Sequence, residues 1–337
     1  MMKSNIKSFY RVYRPKTFGE VVGQEFITKT LSNQIASQKI GHAYLFCGTR
    51  GTGKTSVAKI FADAVNCENF SNGKVCGKCA WCQNPNKSMD IFEIDAASNN
   101  GVDAVRDLIE SVKYPAVVGK YKVYIIDEVH MFSGSAFNAL LKTVEEPPAH
   151  VIFILATTEP HKLLPTVQSR CLRFNFQNVN LAEIEKVEKK VFQAEKLVAD
   201  EEAITLIAKE GQGSVRDALS FADTVAAYCG QEPITVAAIN KVVGGLEPKI
   251  FEQLVAQILA TDTKGVRETV RQIFNSSTGT ARILMGTLSA IKDAYVKEAN
   301  PRLGNALRIF ANLEMTLKYA NDPHAYFETA ALVACGA

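Results

Sequence analysis

Gly48-Thr49-Arg50-Gly51-Thr52-Gly53-Lys54-Thr55 limits the possible folds more than any other stretch of the chain. It matches G-x-x-x-x-G-K-[ST] in full, and its flanks supply the context that the pattern needs. Residues 43–47, AYLFC, form a short apolar run ending at glycine, which reads as a buried strand. SVAKIFADAVN follows with the apolar spacing of a helix. The glycines let backbone N–H groups converge on phosphate oxygens without Cβ collisions, and the helix points its positive end at the same place. Lys54 is then expected to reach the β- and γ-phosphates, and Thr55 to hold Mg²⁺.

A strand–loop–helix of this kind belongs in a parallel sheet, and the next residues supply one. MDIFEID reads as a second strand, VDAVRDLIESV as a helix and YKVYIIDE as a third strand. SAFNALLKTVEE is a helix, VIFILATT a fourth strand and CLRFNF a fifth. Alternation of this kind, with continuous apolar strands, predicts an α/β fold whose sheet is covered by helices on both faces. Near Asn178 the texture changes to amphipathic helical patterns, punctuated at Gly211–Gly213 and Gly244–Gly245. The division expected is an α/β domain over 1–178, a small helical domain over 179–243 and an all-helical domain over 244–337. Helices in the last are read at 248–260, 264–275, 280–297, 302–319 and 323–335.

Hydrolysis of a bound triphosphate needs carboxylates opposite the phosphate loop. Asp127 and Glu128, at the end of the third strand, are placed to hold Mg²⁺ through water and to polarise the attacking water. The plainer alternative is that the pair caps a helix beginning near Ser133.

Four of the chain's eight cysteines fall within residues 67–82. Cys67, Cys76, Cys79 and Cys82 have the spacing C-x8-C-x2-C-x2-C, which lets four thiolates converge on one tetrahedral Zn²⁺ with no open position. The segment is too short and polar to bury a core, so a metal has to fold it. The competing reading is a redox C-x-x-C pair, which needs only two cysteines. Cys47, Cys171, Cys229 and Cys335 sit among apolar residues and read as core.

A net charge of +3 on 337 residues excludes a protein that coats nucleic acid by bulk charge, but leaves room for a local basic stripe. No apolar run of membrane-spanning length occurs, and MMKSNIKSFYRVYRPKTF has no secretory pattern. These features predict a cytoplasmic protein whose cysteines are thiols or metal ligands.

Together the motifs resemble one family, the γ/τ subunits of bacterial DNA polymerase III, the motor of the replicative clamp loader. The likeness is carried by YRPKTFGEVVGQE, HAYLFCGTRGTGKTSVAKIFADAVNC with the three further cysteines, EIDAAS and KVYIIDEVHMFSGSAFNALLKTVEEPP. LATTEPHKLLPTVQSRC and GSVRDALS complete it. The resemblance implies an AAA+ P-loop ATPase with a zinc knuckle, a helical lid and a helical collar that closes a subunit ring. It implies ATP, Mg²⁺ and Zn²⁺ as cofactors. Gly48 to Thr55 and Ser56 are then the phosphate site, and Tyr13, Arg14, Pro15, Val22 and Gly23 wrap the adenine. Thr158, beside Thr157, becomes the polar sensor of the γ-phosphate, and Arg216 the lid arginine acting on the same chain's ATP. Arg170, in Ser169-Arg170-Cys171, becomes an arginine finger offered to a neighbouring subunit. Without the family, Thr158 reads as a strand cap, Arg216 and Arg170 as surface ion pairs, and Pro15 with its aromatics as a packed turn.

The implied partners are δ, δ′ and further γ/τ copies in a hetero-pentamer, the sliding clamp and primed-template DNA, with no membrane. Arg106 and Lys162 fit the family's DNA-facing cations, although Ser98-Asn99-Asn100-Gly101 is neutral where charge is expected. The segment around Lys297–Gly304 is shorter than the family leads one to expect, and the sequence stops at Ala337, as either a short γ-like form or a trimmed piece of a longer member with helicase- and polymerase-binding domains would. Rival readings are a non-hydrolysing structural subunit such as δ′, a branch-migration helicase and a small-molecule P-loop kinase.

Overall fold

In a computed structural model, residues 8–84, 86–244, 246–276 and 278–336 are described. Gly245, half of one predicted punctuation, lies outside them. The chain divides into two units, the first ending at Ala226 and the second beginning at Ala227.

The first unit is built on five parallel strands, β1 (Ala43–Cys47), β2 (Ile91–Asp95), β3 (Lys122–Asp127), β4 (Val151–Thr157) and β5 (Leu172–Asn175). They lie in the order β2-β3-β4-β1-β5. Side chains alternate across the sheet, and each face has its own cover. Tyr44, Phe46, Ile125 and Ile154 pack against α1 (Glu25–Ala36) and α2 (Lys54–Val65). Leu45, Tyr124, Ile126 and Phe153 pack against α3 (Val102–Val112) and α4 (Gly134–Glu145). The central strands β1, β3 and β4 are buried on both faces, which is why they read as unbroken apolar runs.

This order aligns the functional ends. β4 lies between β1 and β3, with Cys47 level with Thr157 and Ile126 level with Leu155. The loops that leave β1, β3 and β4 therefore emerge side by side at the carboxyl edge, where open α/β sheets bind ligands.

Three local features depart from the sequence reading. α1 was not expected; Ile27, Leu31 and Ile35, four apart, are its buried stripe. β2 begins at Ile91 because residues 87–90 form a 3-10 turn. The buried Asp90 carboxylate in that turn accepts the N–H groups of Val117, Val118 and Gly119 at 2.7, 2.7 and 2.8 Å. The stretch 302–319, expected as one helix, is two, Pro301–Ala311 and Leu313–Tyr319, meeting at Asn312.

Beyond the sheet, α5 (Leu181–Glu195), α6 (Glu201–Glu210) and α7 (Val215–Cys229) follow. The second unit is helical among its described residues. Its core gathers Leu254, Ile258, Val270, Ile291, Leu303, Phe310 and Phe327. No helix among the described residues is long and apolar enough to cross a membrane. Cys47, Cys171 and Cys335 are buried as core residues, whereas Cys229 is half-buried.

Candidate nucleotide site and cysteine knuckle

The loop between β1 and α2 depends on glycine at two points. Gly53, at φ +103°, is the residue from which α2 starts, in a region that favours glycine. Gly51, at φ +76°, lies so close to Ser214 that any Cβ there would meet its hydroxyl. Lys54 is buried, and a buried ammonium must be paired. Its Nζ donates to the Gly48 and Thr49 carbonyls, both at 2.8 Å. Burial lowers its pKa, and the carboxylates of Glu128 and Asp127 push it back. The hydroxyl of Thr52 donates to the Thr49 carbonyl at 2.9 Å and tightens the turn.

Thr55 and Asp127, 72 residues apart, meet at the sheet edge, the Thr55 hydroxyl donating to Asp127 Oδ2 at 2.7 Å. A hydroxyl and a carboxylate side by side next to a phosphate loop form the donor set that takes Mg²⁺ in P-loop sites. Glu128 follows at φ +49°, a left-handed conformation costing a non-glycine residue about 1–2 kcal/mol. This turns its side chain out of the strand, and Oε2 accepts the backbone N–H of Thr158 at 3.1 Å and its hydroxyl at 2.9 Å.

The loop opens into a cavity of about 480 Å³. Among the predicted residues it is lined by Tyr13, Arg14, Pro15, Val22, Arg50 to Ser56, Asp127, Glu128 and Arg216. Gly23, Gly48, Thr49, Thr158 and Arg170 do not line it. Thr158 is one contact behind, through Glu128. Arg14 Nε donates to Ser56 Oγ at 3.0 Å, and the Tyr13 hydroxyl donates to Glu195 at 2.6 Å. The Glu195 carboxylate pushes the Tyr13 phenol up to about 12. The N-terminal segment is thus tied to both α2 and α5.

Ser214 starts α7 by accepting the Asp217 N–H at 3.1 Å on its side-chain hydroxyl. Arg216 lies not against Asp217 but over the Tyr10 ring, 5.0 Å from its centre. Tyr10 and Arg11 also line the cavity and went unnoticed in the sequence, as did Glu20, Glu93 and Leu219. Nothing about Tyr10 marks it in advance, because its contact is with a residue 206 positions away. The lining sets Arg11, Arg14, Arg50, Lys54 and Arg216 against Glu20, Glu93, Asp127 and Glu128. Such a surface suits a polyanion accompanied by a divalent cation.

Arg170 is partly exposed and pairs with Glu145 at 2.9 Å, also donating to the Thr166 carbonyl at 2.8 Å. Arg106 and Lys162 are exposed, each paired with a near neighbour, Asp103 at 3.0 Å and Glu159 at 2.8 Å.

The knuckle packs beside α2. The sulfurs of Cys67, Cys76, Cys79 and Cys82 all lie within 4.8 Å of one another. Cys76 and Cys82 are 3.9 Å apart, and Cys82 and Cys67 3.7 Å apart. Metal–sulfur bonds of about 2.3 Å place tetrahedral ligands about 3.8 Å apart, so the four thiols fit Zn²⁺. The backbone N–H groups of Lys78 and Cys79 point at Cys76 Sγ and lower its pKa to about 6. Burial moves Cys67 and Cys82 the other way. Trp81, buried against Phe70, Ile91 and Val118, anchors the insert to the domain.

Comparison with known proteins decides the family. A family model described as "DNA polymerase III, delta subunit" matches residues 23–180, and one described as "DNA polymerase III clamp loader subunit, ATPase lid domain" matches 183–231. The DNA polymerase III subunit gamma of Buchnera aphidicola is 33% identical over 95% of this chain and 89% of its own length. The chain belongs to the DNA polymerase III γ/τ family. The subunit tau of Bacillus subtilis is 39% identical over 98% of this chain and 63% of its own, and that of Escherichia coli 40% over 78% and 41%. The chain therefore spans less than two thirds of these two relatives. Among solved structures, the Thermotoga maritima RuvB branch migration motor aligns over 73% of this chain and 79% of its own, with TM-score 0.53 at 19% identity. That likeness establishes the AAA+ fold and nothing finer.

Proposed function

We propose that the chain is an ATP-hydrolysing subunit of a sliding-clamp loader. The observation that carries this reading is the bond from Thr55 to Asp127, with Glu128 next in sequence, in the wall of a cavity that five cations also line. A non-hydrolysing structural subunit has no need of this combination.

In this reading Lys54 and the loop amides bind the β- and γ-phosphates, and Tyr13, Arg14, Pro15 and Val22 enclose the base, with Gly23 outside the cavity wall. Thr55 and Asp127 hold Mg²⁺, which neutralises charge on the phosphates. Glu128 orients a water for in-line attack and takes its proton, while Thr158 fixes that carboxylate. Arg216 reaches the same ATP from the lid. Arg170 exchanges Glu145 for the nucleotide of a neighbouring subunit, where a finger of this kind is worth about 10³–10⁵ in rate. The four cysteines hold a structural Zn²⁺.

We assign residues 1–178 to the nucleotide-binding domain, 179–243 to the lid and 244–337 to a collar. The proposed partners are δ, δ′ and other γ/τ copies in a hetero-pentamer, the clamp and primed-template DNA, all in the cytoplasm. Arg106 and Lys162 are the cations offered to the DNA backbone. The deciding experiment measures ATP turnover by the reconstituted complex with and without clamp and primed template. Strong stimulation by both together is expected; a complex that binds ATP but never turns it over would make this a structural subunit.

A further inference from the structure

Two segments carry the acidic end of the site, residues 128–131 after β3 and residues 157–159 at the end of β4 and just beyond it. One buried imidazole joins them. The His130 side chain is only 5% exposed, and both ring nitrogens face polar groups close to Glu128. Nδ1 lies 2.9 Å from Thr157 Oγ1 and 3.4 Å from Glu128 Oε2, and Nε2 lies 3.0 Å from Glu159 Oε2. Thr157 Oγ1 also accepts the Glu159 N–H at 3.0 Å, which fixes the turn that presents Thr158. Lys162 closes the chain at the surface, 2.8 Å from Glu159 Oε2, and holds that carboxyl below its usual range. An ionised Glu159 requires a proton on Nε2, and Nδ1 faces the Thr157 hydroxyl.

A histidine that merely filled space would take whatever partners were nearest, including carbonyls of its own turn. Here two of the three groups it meets sit on the β4 loop, and the third is Glu128 itself. Glu128 is also strained, and strained residues persist only where their surroundings over-determine them. Thr158 grips Glu128 from one side, so the relative placement of the two loops sets the direction of the carboxylate.

We propose that His130 is a positioning residue for Glu128, bracing the β3 and β4 loops so that Thr158 keeps hold of the carboxylate. The inference rests on the reading of Glu128 as the group that activates water. It requires His130 to act on kcat and not on nucleotide binding.

The test uses the full chain in its assembled complex, with turnover, affinity for a fluorescent ATP analogue and thermal melting measured on each variant. His130→Ala is expected to lower kcat about tenfold or more, since small misplacements of catalytic groups are costly, with ATP affinity nearly unchanged. His130→Gln, whose amide supplies one donor and one acceptor, is expected to recover most of the loss. Should His130→Ala fail to fold, Glu159→Gln decides, because it removes only a half-exposed charge; a fall in kcat at constant ATP affinity is expected. Wild-type kcat in a folded His130→Ala protein overturns the proposal, as does a parallel loss of affinity and melting temperature that His130→Gln does not relieve. Wild-type kcat in Glu159→Gln overturns it where His130→Ala does not fold. A wild-type complex without turnover would instead remove the ATPase reading itself.

Discussion

The phosphate loop and the cysteine knuckle are joined by a single helix, α2, yet they hold their shapes by opposite means. Beside the loop the functional side chains have protein partners already: Lys54 has two carbonyls, Thr55 has Asp127, and Glu128 has Thr158. The knuckle brings four thiols together with little apolar cover beyond Trp81 and its neighbours. The sheet edge therefore holds the loop through the protein's own hydrogen bonds, whereas in the proposed reading the knuckle depends on an ion. Loss of the ion should damage stability and spare chemistry, and loss of a loop carboxylate should do the reverse.

The largest effect is expected on the knuckle side. Stripping the ion, or replacing Cys79 with serine, should cost more than about 4 kcal/mol of stability, as loss of a structural metal does. Hydrogen exchange over residues 67–84 would report it as lost protection, with ATP still bound at low temperature. An unchanged melting temperature would show that Trp81 and Asp90 suffice without an ion, and the contrast would dissolve. On the loop side, Glu128→Gln should slow hydrolysis about 10²–10⁴-fold, the usual worth of a general base, and leave the melting temperature alone. Turnover within a few-fold of wild type would take Glu128 out of the mechanism.

The contrast also governs what could be read in advance. The loop, the Asp127-Glu128 pair and the cysteines are local patterns, in which chemistry dictates spacing over a few residues. Their strands were visible because burial on both faces leaves continuous apolar runs. His130, Glu159 and Tyr10 were not legible, since each acts through partners that only the strand order or the lid brings near. α1 carried a clear period of four in Ile27, Leu31 and Ile35, but Phe26, 78% exposed, and a run of polar residues mask it. The break at Asn312 escaped because the apolar period continues across it.

A third place applies the same contrast to a group with neither partner nor ion. Glu188 on α5 is fully buried, and neither carboxylate oxygen has a hydrogen-bond partner. Burial, aided by Glu185, raises its pKa to about 8. It meets by protonation a problem that the proposed ion would meet in the knuckle. An unfolded glutamate titrates near about 4.3, so between that value and 8 the folded chain binds the extra proton and stability must fall as pH rises. Glu188→Gln should flatten this slope, gaining on the order of 2–4 kcal/mol above pH 8 and almost nothing at pH 4.5. Equal gains at both ends would mean that the charge is not what matters.

The smallest effect concerns Tyr10, where the loop side depends on a contact with no charge partner. Arg216 opens α7, and a cation in a first turn opposes the helix dipole, so something must keep it facing the cavity. The Tyr10 ring lies within cation–π range, and Arg11 Nε donates to its hydroxyl at 2.9 Å, which fixes the ring. An exposed stack of this type is worth about 0.5–1 kcal/mol. Tyr10→Leu keeps apolar bulk but removes the ring face, so Arg216 regains rotamer freedom that ATP must then restrict. ATP affinity is expected to fall about two- to fivefold, with the melting temperature unchanged. Titration of a fluorescent ATP analogue measures it. Tighter binding would mean that the ring withholds Arg216 from the phosphates, so that the preformed state ascribed to the loop would stop short of the lid.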